Sequence, residues 1–181
     1  MEKSQRTNEL LVAGVKSYPE ALIAIDEFRR VLLGTVRETV EHNLKSIATA
    51  MGIKLSASEI QKRLRPTESE VGRDNAAIGV TIRRDAEGWR QYYQFYWEPD
   101  SSFSFLASVW FREVDATSTS TAVNKVKCRY TVGFEDNEVF MLRRVTTGEI
   151  GRVKDVLGAF MREWATFWKR VGGLKRLKSM R

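Results

Sequence analysis

Trp89-Arg90-Gln91-Tyr92-Tyr93-Gln94-Phe95-Tyr96-Trp97-Glu98 is the stretch on which the fold class turns. It is rich in aromatic residues and lacks Gly and Pro, a composition that suits a pleated, half-buried surface. Its positions separate with period two. Trp89, Gln91, Tyr93, Phe95 and Trp97 point one way, and Arg90, Tyr92, Gln94, Tyr96 and Glu98 point the other. The first set is the more apolar and is assigned to the core face. The second is a mixed aromatic and polar outer face.

The same period extends on both sides. Ala76–Arg84 reads as the preceding strand, joined through the turn at Asp85-Ala86-Glu87-Gly88. Phe103–Val114 reads as the next, with Phe103, Phe105, Val109 and Phe111 inward and Ser104, Leu106, Trp110 and Arg112 outward. A Ser/Thr-rich connection, Ala116–Thr121, leads to a fourth strand at Val123–Val132. There Val126, Cys128, Tyr130 and Val132 face in, and Lys125, Lys127 and Arg129 face out. A turn at Gly133–Asn137 precedes a fifth strand, Glu138–Val145. Five strands with short connections predict an antiparallel meander.

Helical periods flank the sheet. Ser17, Pro19 and Glu20 mark a helix start. Leu22, Ile25, Phe28, Leu32, Val36, Val40, Leu44, Ile47 and Met51 then recur at the spacing of a straight helix, which Gly52 ends. So long a helix must bend, protrude or meet a second subunit. Ser56 and Glu59 form a capping box for a short helix, closed by Pro66, and residues 66–75 read as a polar loop. Thr146 and Glu149 open a C-terminal helix whose stripe runs from Ile150 to Val171.

The predicted architecture is one α+β domain over residues 1–181. It comprises an N-terminal segment (1–16), a helical part (17–65), a five-stranded antiparallel meander sheet (76–145), a C-terminal helix (147–172) and a basic tail (173–181). The long N-terminal and C-terminal helices back the sheet, with one short helix between.

Composition narrows the chemistry. The chain of 181 residues is 43% apolar and 29% charged, as in globular domains. His42 and Cys128 are the only residues of their types. They supply no zinc ligand set, no disulfide and no histidine-based triad. No phosphate-cradling glycine loop is present, and no cofactor is expected. Glu68, Glu70, Asp74, Glu98 and Asp100 are the only carboxylate groupings that suggest a metal-dependent nuclease, and they read better as solvated loop acids. No run of 18 uncharged apolar residues exists to span a membrane. No signal peptide is read at the N-terminus, and a cytoplasmic location is the expectation.

Charge points to a partner. Residues 1–115 carry 16 basic and 17 acidic side chains, whereas residues 116–181 carry 14 and 6. The whole excess behind the net charge of +7 therefore lies in the last third, which suggests a polyanion such as nucleic acid. The candidate contact residues are Arg90, Tyr92, Tyr96, Trp110, Arg112, Lys125, Lys127 and Arg129 on the outer sheet face, with Lys175, Arg176 and Lys178 in the tail. Bases would stack on the rings and phosphates would meet the cations. The alternative is a protein-interaction module, such as a homodimer formed through the long helix or the sheet face. A lesser one is a small apolar ligand held between the sheet and the C-terminal helix by Trp89, Phe95, Phe105, Phe160 and Trp164.

Overall fold

The computed structural model describes residues 2–68, 77–84, 88–97 and 103–178. Glu70, Asp74, Glu98, Asp100 and the expected turn at 85–87 lie outside the described residues, as do the side chains of Glu68, Lys175, Arg176 and Lys178.

Helix α1 spans Glu2–Met51, a length of about 75 Å at 1.5 Å per residue. It absorbs the expected N-terminal segment and passes through Ser17 and Pro19 instead of starting there. Pro19 has no N–H for the carbonyl of Val15, but Val15 and Pro19 are both exposed, so that carbonyl is open to water. The C-terminal part of α1 buries Leu32, Val36, Val40, Leu44, Ile47 and Met51. Helix α2 (Ala57–Arg63) opens on the expected capping box. Ser56 Oγ accepts from the Glu59 N–H, and the Glu59 carboxylate accepts from the Ser56 N–H at 2.9 Å.

Six strands form the sheet, not five. They are β1 (Leu64–Glu68), β2 (Ala77–Arg84), β3 (Trp89–Trp97), β4 (Phe103–Phe111), β5 (Thr131–Glu135) and β6 (Glu138–Val145). Their order is β1-β2-β3-β4-β6-β5, every neighbouring pair antiparallel. The additional strand, β1, lies partly within the stretch read as a polar loop. Pro66 pairs opposite Val80 there, a position open to proline because β1 is an edge strand.

The expected fourth strand is a correction. Ala116–Asn124 forms helix α3, whose N-cap Asp115 accepts from the Ser118 N–H at 2.6 Å. Thr119 and Val123, four residues apart, form its buried side. Residues 125–130 follow without a strand, and the meander breaks there. The chain crosses to the far edge for β5 and returns as β6 between β5 and β4. The β5–β6 turn is Asp136-Asn137, with φ of 48° and 63°. Both residues tolerate this left-handed region, and two of them in succession match the twist of a hairpin.

One face of the sheet meets the helices. Ile78, Val80, Ile82, Trp89, Gln91, Tyr93, Phe95, Phe105, Ala107, Val109, Val139 and Met141 are buried on it. The Tyr93 hydroxyl donates to Gln91 Oε1 at 2.5 Å, so neither polar group is stranded. A 3-10 helix, Thr147–Arg152, leads into α4 (Val153–Val171). Phe160 of α4 lies edge-on to Phe105 at 5.1 Å between ring centroids, and Phe95 lies 4.9 Å from Phe105. Phe95, Phe105 and Phe160, three of the five rings read as lining a ligand cavity, therefore pack on one another. Gly172, at φ 94°, ends α4. The expected tail then folds as α5 (Gly173–Lys178) and buries Leu174 and Leu177. No helix among the described residues is long and apolar enough to cross a membrane.

Candidate functional site

The register brings four of the predicted residues onto one surface. Arg90 pairs opposite Trp110, and Trp110 opposite Glu138. Tyr92 pairs opposite Ser108, and Tyr96 opposite Ser104. All belong to the outer face, because α1 and α4 lie against the other one. The Arg90 guanidinium carbon sits 5.5 Å from the Trp110 ring centroid, so a cation of the same chain already occupies that π face. The Tyr96 hydroxyl donates to Gln94 Oε1 at 2.5 Å. Burial pushes its pKa up to about 12, and the nearby Glu138 and Tyr92 add to the effect. Ser108 donates to the Glu138 carboxylate. The rings thus serve contacts within the face, and Glu138 places an acid among them. Arg112 is exposed just beyond β4, where its N–H donates to the Gly88 carbonyl at 2.9 Å.

Lys125, Lys127 and Arg129 are not on this face. Their alternation with Val126, Cys128 and Tyr130 is real: the first three are exposed and the second three are half-buried. The irregular segment 125–130 runs beside α4, however, not beside a strand. Arg170 of α4 donates to the Lys127 carbonyl at 2.6 Å. The Arg129 N–H donates to Glu163 Oε1 of α4 at 3.1 Å. Tyr130 lies 5.3 Å from Phe160, and the Arg129 guanidinium carbon lies 5.6 Å from the Tyr130 ring centroid.

This rearrangement assembles a different site. A groove of about 490 Å³ is lined by Ala122, Lys125, Val126, Lys127, Arg170 and Val171. Three of its six lining residues are cationic. Helix α5 begins two residues after Val171 and carries Lys175, Arg176 and Lys178 in its backbone trace. Lys125, Lys127 and Arg129, assigned to the sheet, therefore lie near Arg170 and close to the backbone of α5, which contacts α3, while Arg90 and Arg112 stay with the sheet. Sequence reasoning missed the organising roles of Arg170 and Glu163. Both lie on α4, and no local pattern announces their contacts with residues 34 and 43 positions earlier.

The groove offers no nucleophile. Burial pushes the Cys128 thiol up and the Glu163 carboxylate adds to this, while Arg170 opposes it. A raised pKa favours the protonated thiol, and Cys128 does not line the groove. His42 is exposed on α1. Among the described residues no three His, Cys, Asp or Glu side chains come together as a metal site requires. No family model matches the chain, and neither a search of curated proteins nor one of solved structures finds a match.

Proposed function

We propose that this chain is a non-catalytic binding protein that contacts a polyanion, with nucleic acid the foremost class. Its contact surface is the basic end formed by Lys125, Lys127, Arg129 and Arg170, continued by α5. The observation that carries this reading is the Arg170 bond to the Lys127 carbonyl. It joins two separately basic stretches into one surface. Cations so placed neutralise phosphates and release condensed counterions, which gives affinity without sequence preference.

The sheet face supports a smaller share of the function than its composition suggested. Its tryptophan and tyrosines are half-buried, Trp110 already meets Arg90, and Tyr96 already bonds Gln94. Single and double strands are therefore expected to bind alike, through phosphates alone.

The test is fluorescence anisotropy of labelled duplex DNA, single-stranded DNA and RNA against the purified protein across a salt series. If about four phosphates are neutralised, affinity falls roughly a hundredfold between 50 and 200 mM salt. The triple variant Lys125→Glu, Lys127→Glu, Arg129→Glu abolishes binding, and Tyr92→Ala with Trp110→Ala leaves it unchanged. The reverse pattern would restore the sheet face as the site. Absence of binding by the unmodified chain at low salt, where screening is weakest, would discard nucleic acid altogether.

A further inference from the structure

The basic groove has no acid among its lining residues. Lys125, Lys127 and Arg170 line it together with Ala122, Val126 and Val171. Elsewhere Arg37, Arg143 and Lys154 meet carboxylates at 3.1, 2.6 and 2.7 Å. Among the described residues none of the three groove cations is in an ion pair. Like charges brought to one concave spot repel, and an anion from outside removes that cost. Arg170 is also held in place. Its bond to the Lys127 carbonyl uses one guanidinium N–H and leaves the group further donors. The volume of about 490 Å³ falls in the range of sites that seat a small molecule.

The cations do not continue as a track along the segment. Lys125, Lys127 and Arg129 are its alternate, exposed residues, but Arg129 does not line the groove. Its guanidinium carbon lies 5.6 Å from the Tyr130 ring centroid instead. Its N–H donates to Glu163 Oε1 at 3.1 Å, which sets an acid on that side. A nucleic-acid backbone running along the segment would meet that carboxylate after two cations. A strand end stops before it.

We infer that the groove takes the terminal phosphate monoester of a nucleic-acid strand in preference to the diesters along it. This deepens the polyanion reading, on which it rests. A monoester carries about −1.5 to −2 near neutral pH and presents three terminal oxygens. A diester carries a single charge and presents two. Three cationic side chains can each meet an oxygen of the one monoester group, through charge-assisted hydrogen bonds. Ala122, Val126 and Val171, which line the rest of the groove, give the terminal sugar an apolar surface.

Fluorescence anisotropy of the full-length chain with four internally labelled single strands tests this. One has hydroxyls at both ends, one a 5′-phosphate, one a 3′-phosphate, and one has hydroxyl ends but is two nucleotides longer. The longer strand matches the charge of a terminal phosphate with two added diesters. At least one phosphorylated strand is expected to bind roughly tenfold more tightly than the longer strand. Lys125→Gln and Lys127→Gln, made singly so that binding persists, should each bring that ratio close to one. Arg129→Gln should weaken all four strands and keep the ratio. Equal binding of the phosphorylated and the longer strands overturns the inference and leaves the polyanion reading standing. A ratio unchanged by both lysine variants also overturns it, because the monoester then sits elsewhere. No binding of any strand at low salt overturns both readings, and binding of vesicles bearing phosphatidic acid in that case gives the groove to a lipid headgroup.

Discussion

Arg170, next to the last residue of α4, donates to the Lys127 carbonyl oxygen at 2.6 Å. One guanidinium so placed does two things. It fixes an irregular segment that lacks a strand partner, and it adds a positive charge to the groove that this segment lines. Arg170→Met keeps much of the aliphatic stem and removes both effects. The variant is expected to lose about 1 kcal/mol in a denaturant melt, the usual worth of one exposed charge-assisted bond. The slope of log affinity for DNA against log salt should fall by about one.

Two glycines on the outer face differ in what surrounds them. A Cβ on Gly79 would stand 2.1 Å from the Tyr93 carbonyl oxygen and 2.7 Å from the Gln94 Cα, both backbone atoms of the central ladder. A Cβ on Gly133 would stand 2.6 Å from the Phe140 ring, a side chain that can rotate. Gly79→Ala is expected to cost about 3 kcal/mol or more, in the range of severe overpacking. Gly133→Ala should cost less than half of that and be largely rescued by Phe140→Leu. Thermal melts of the four proteins check this.

Thr119 is buried on α3, and its hydroxyl has no hydrogen-bond partner among the described residues. A stranded polar atom costs more than the apolar group that could replace it. Thr119→Val is therefore expected to raise stability by about 1 kcal/mol, seen as a higher denaturant midpoint with an unchanged slope.

Glu149 ties the 3-10 helix to the sheet. Its carboxyl is held below the usual carboxylate range by the Thr146 N–H first, and also by Arg143, which donates to it at 2.6 Å, and the Thr146 hydroxyl. A group whose folded pKa is depressed adds stability above its unfolded pKa and loses it as the pH falls through the folded value. Glu149 thus adds to the loss of stability expected below about pH 4. Glu149→Gln should be less stable at pH 7 and flatter in acid, the two curves converging at low pH.

The alkaline limb has the opposite sign. Burial, with Glu138 and Tyr92 adding, raises Tyr96 to about 12, and burial raises Tyr93 beyond that range. A raised folded pKa gives stability that is complete below the unfolded tyrosine value, near 10, and is lost as the pH climbs toward the folded value. Stability should therefore decline between about pH 10 and 12, and Tyr96→Phe should shallow that decline. Urea melts at stepped pH measure it.

Much of this molecule was legible along the chain. Alternation across Trp89–Tyr96 puts Trp89, Gln91, Tyr93 and Phe95 in the core as expected, because successive side chains of a strand point to opposite faces. The stripe from Leu32 to Met51 and the capping boxes at Ser56 and Thr146 are equally local. They depend on residues three or four apart and survive any tertiary arrangement.

What the chain alone left open is which element each segment lies against. Period two at Lys125–Tyr130 reports alternating exposure, not a strand: Lys125 is still in the helical region, the Val126 N–H turns back to the Val123 carbonyl, and the neighbour is α4, not a ladder partner. The contacts of Arg170 with Lys127 and of Arg129 with Glu163 span dozens of residues, so no local pattern encodes them. Asp115 and Ser118 signal a helix start, but Thr119 and Val123 make a helix face only where the edge of the sheet and α5 bury them. The apolar stripe of α1 is read in sequence from Leu22 to Met51. Only the tertiary structure decides that its second part is core and its first part is bare, because the body of the protein is shorter than the helix.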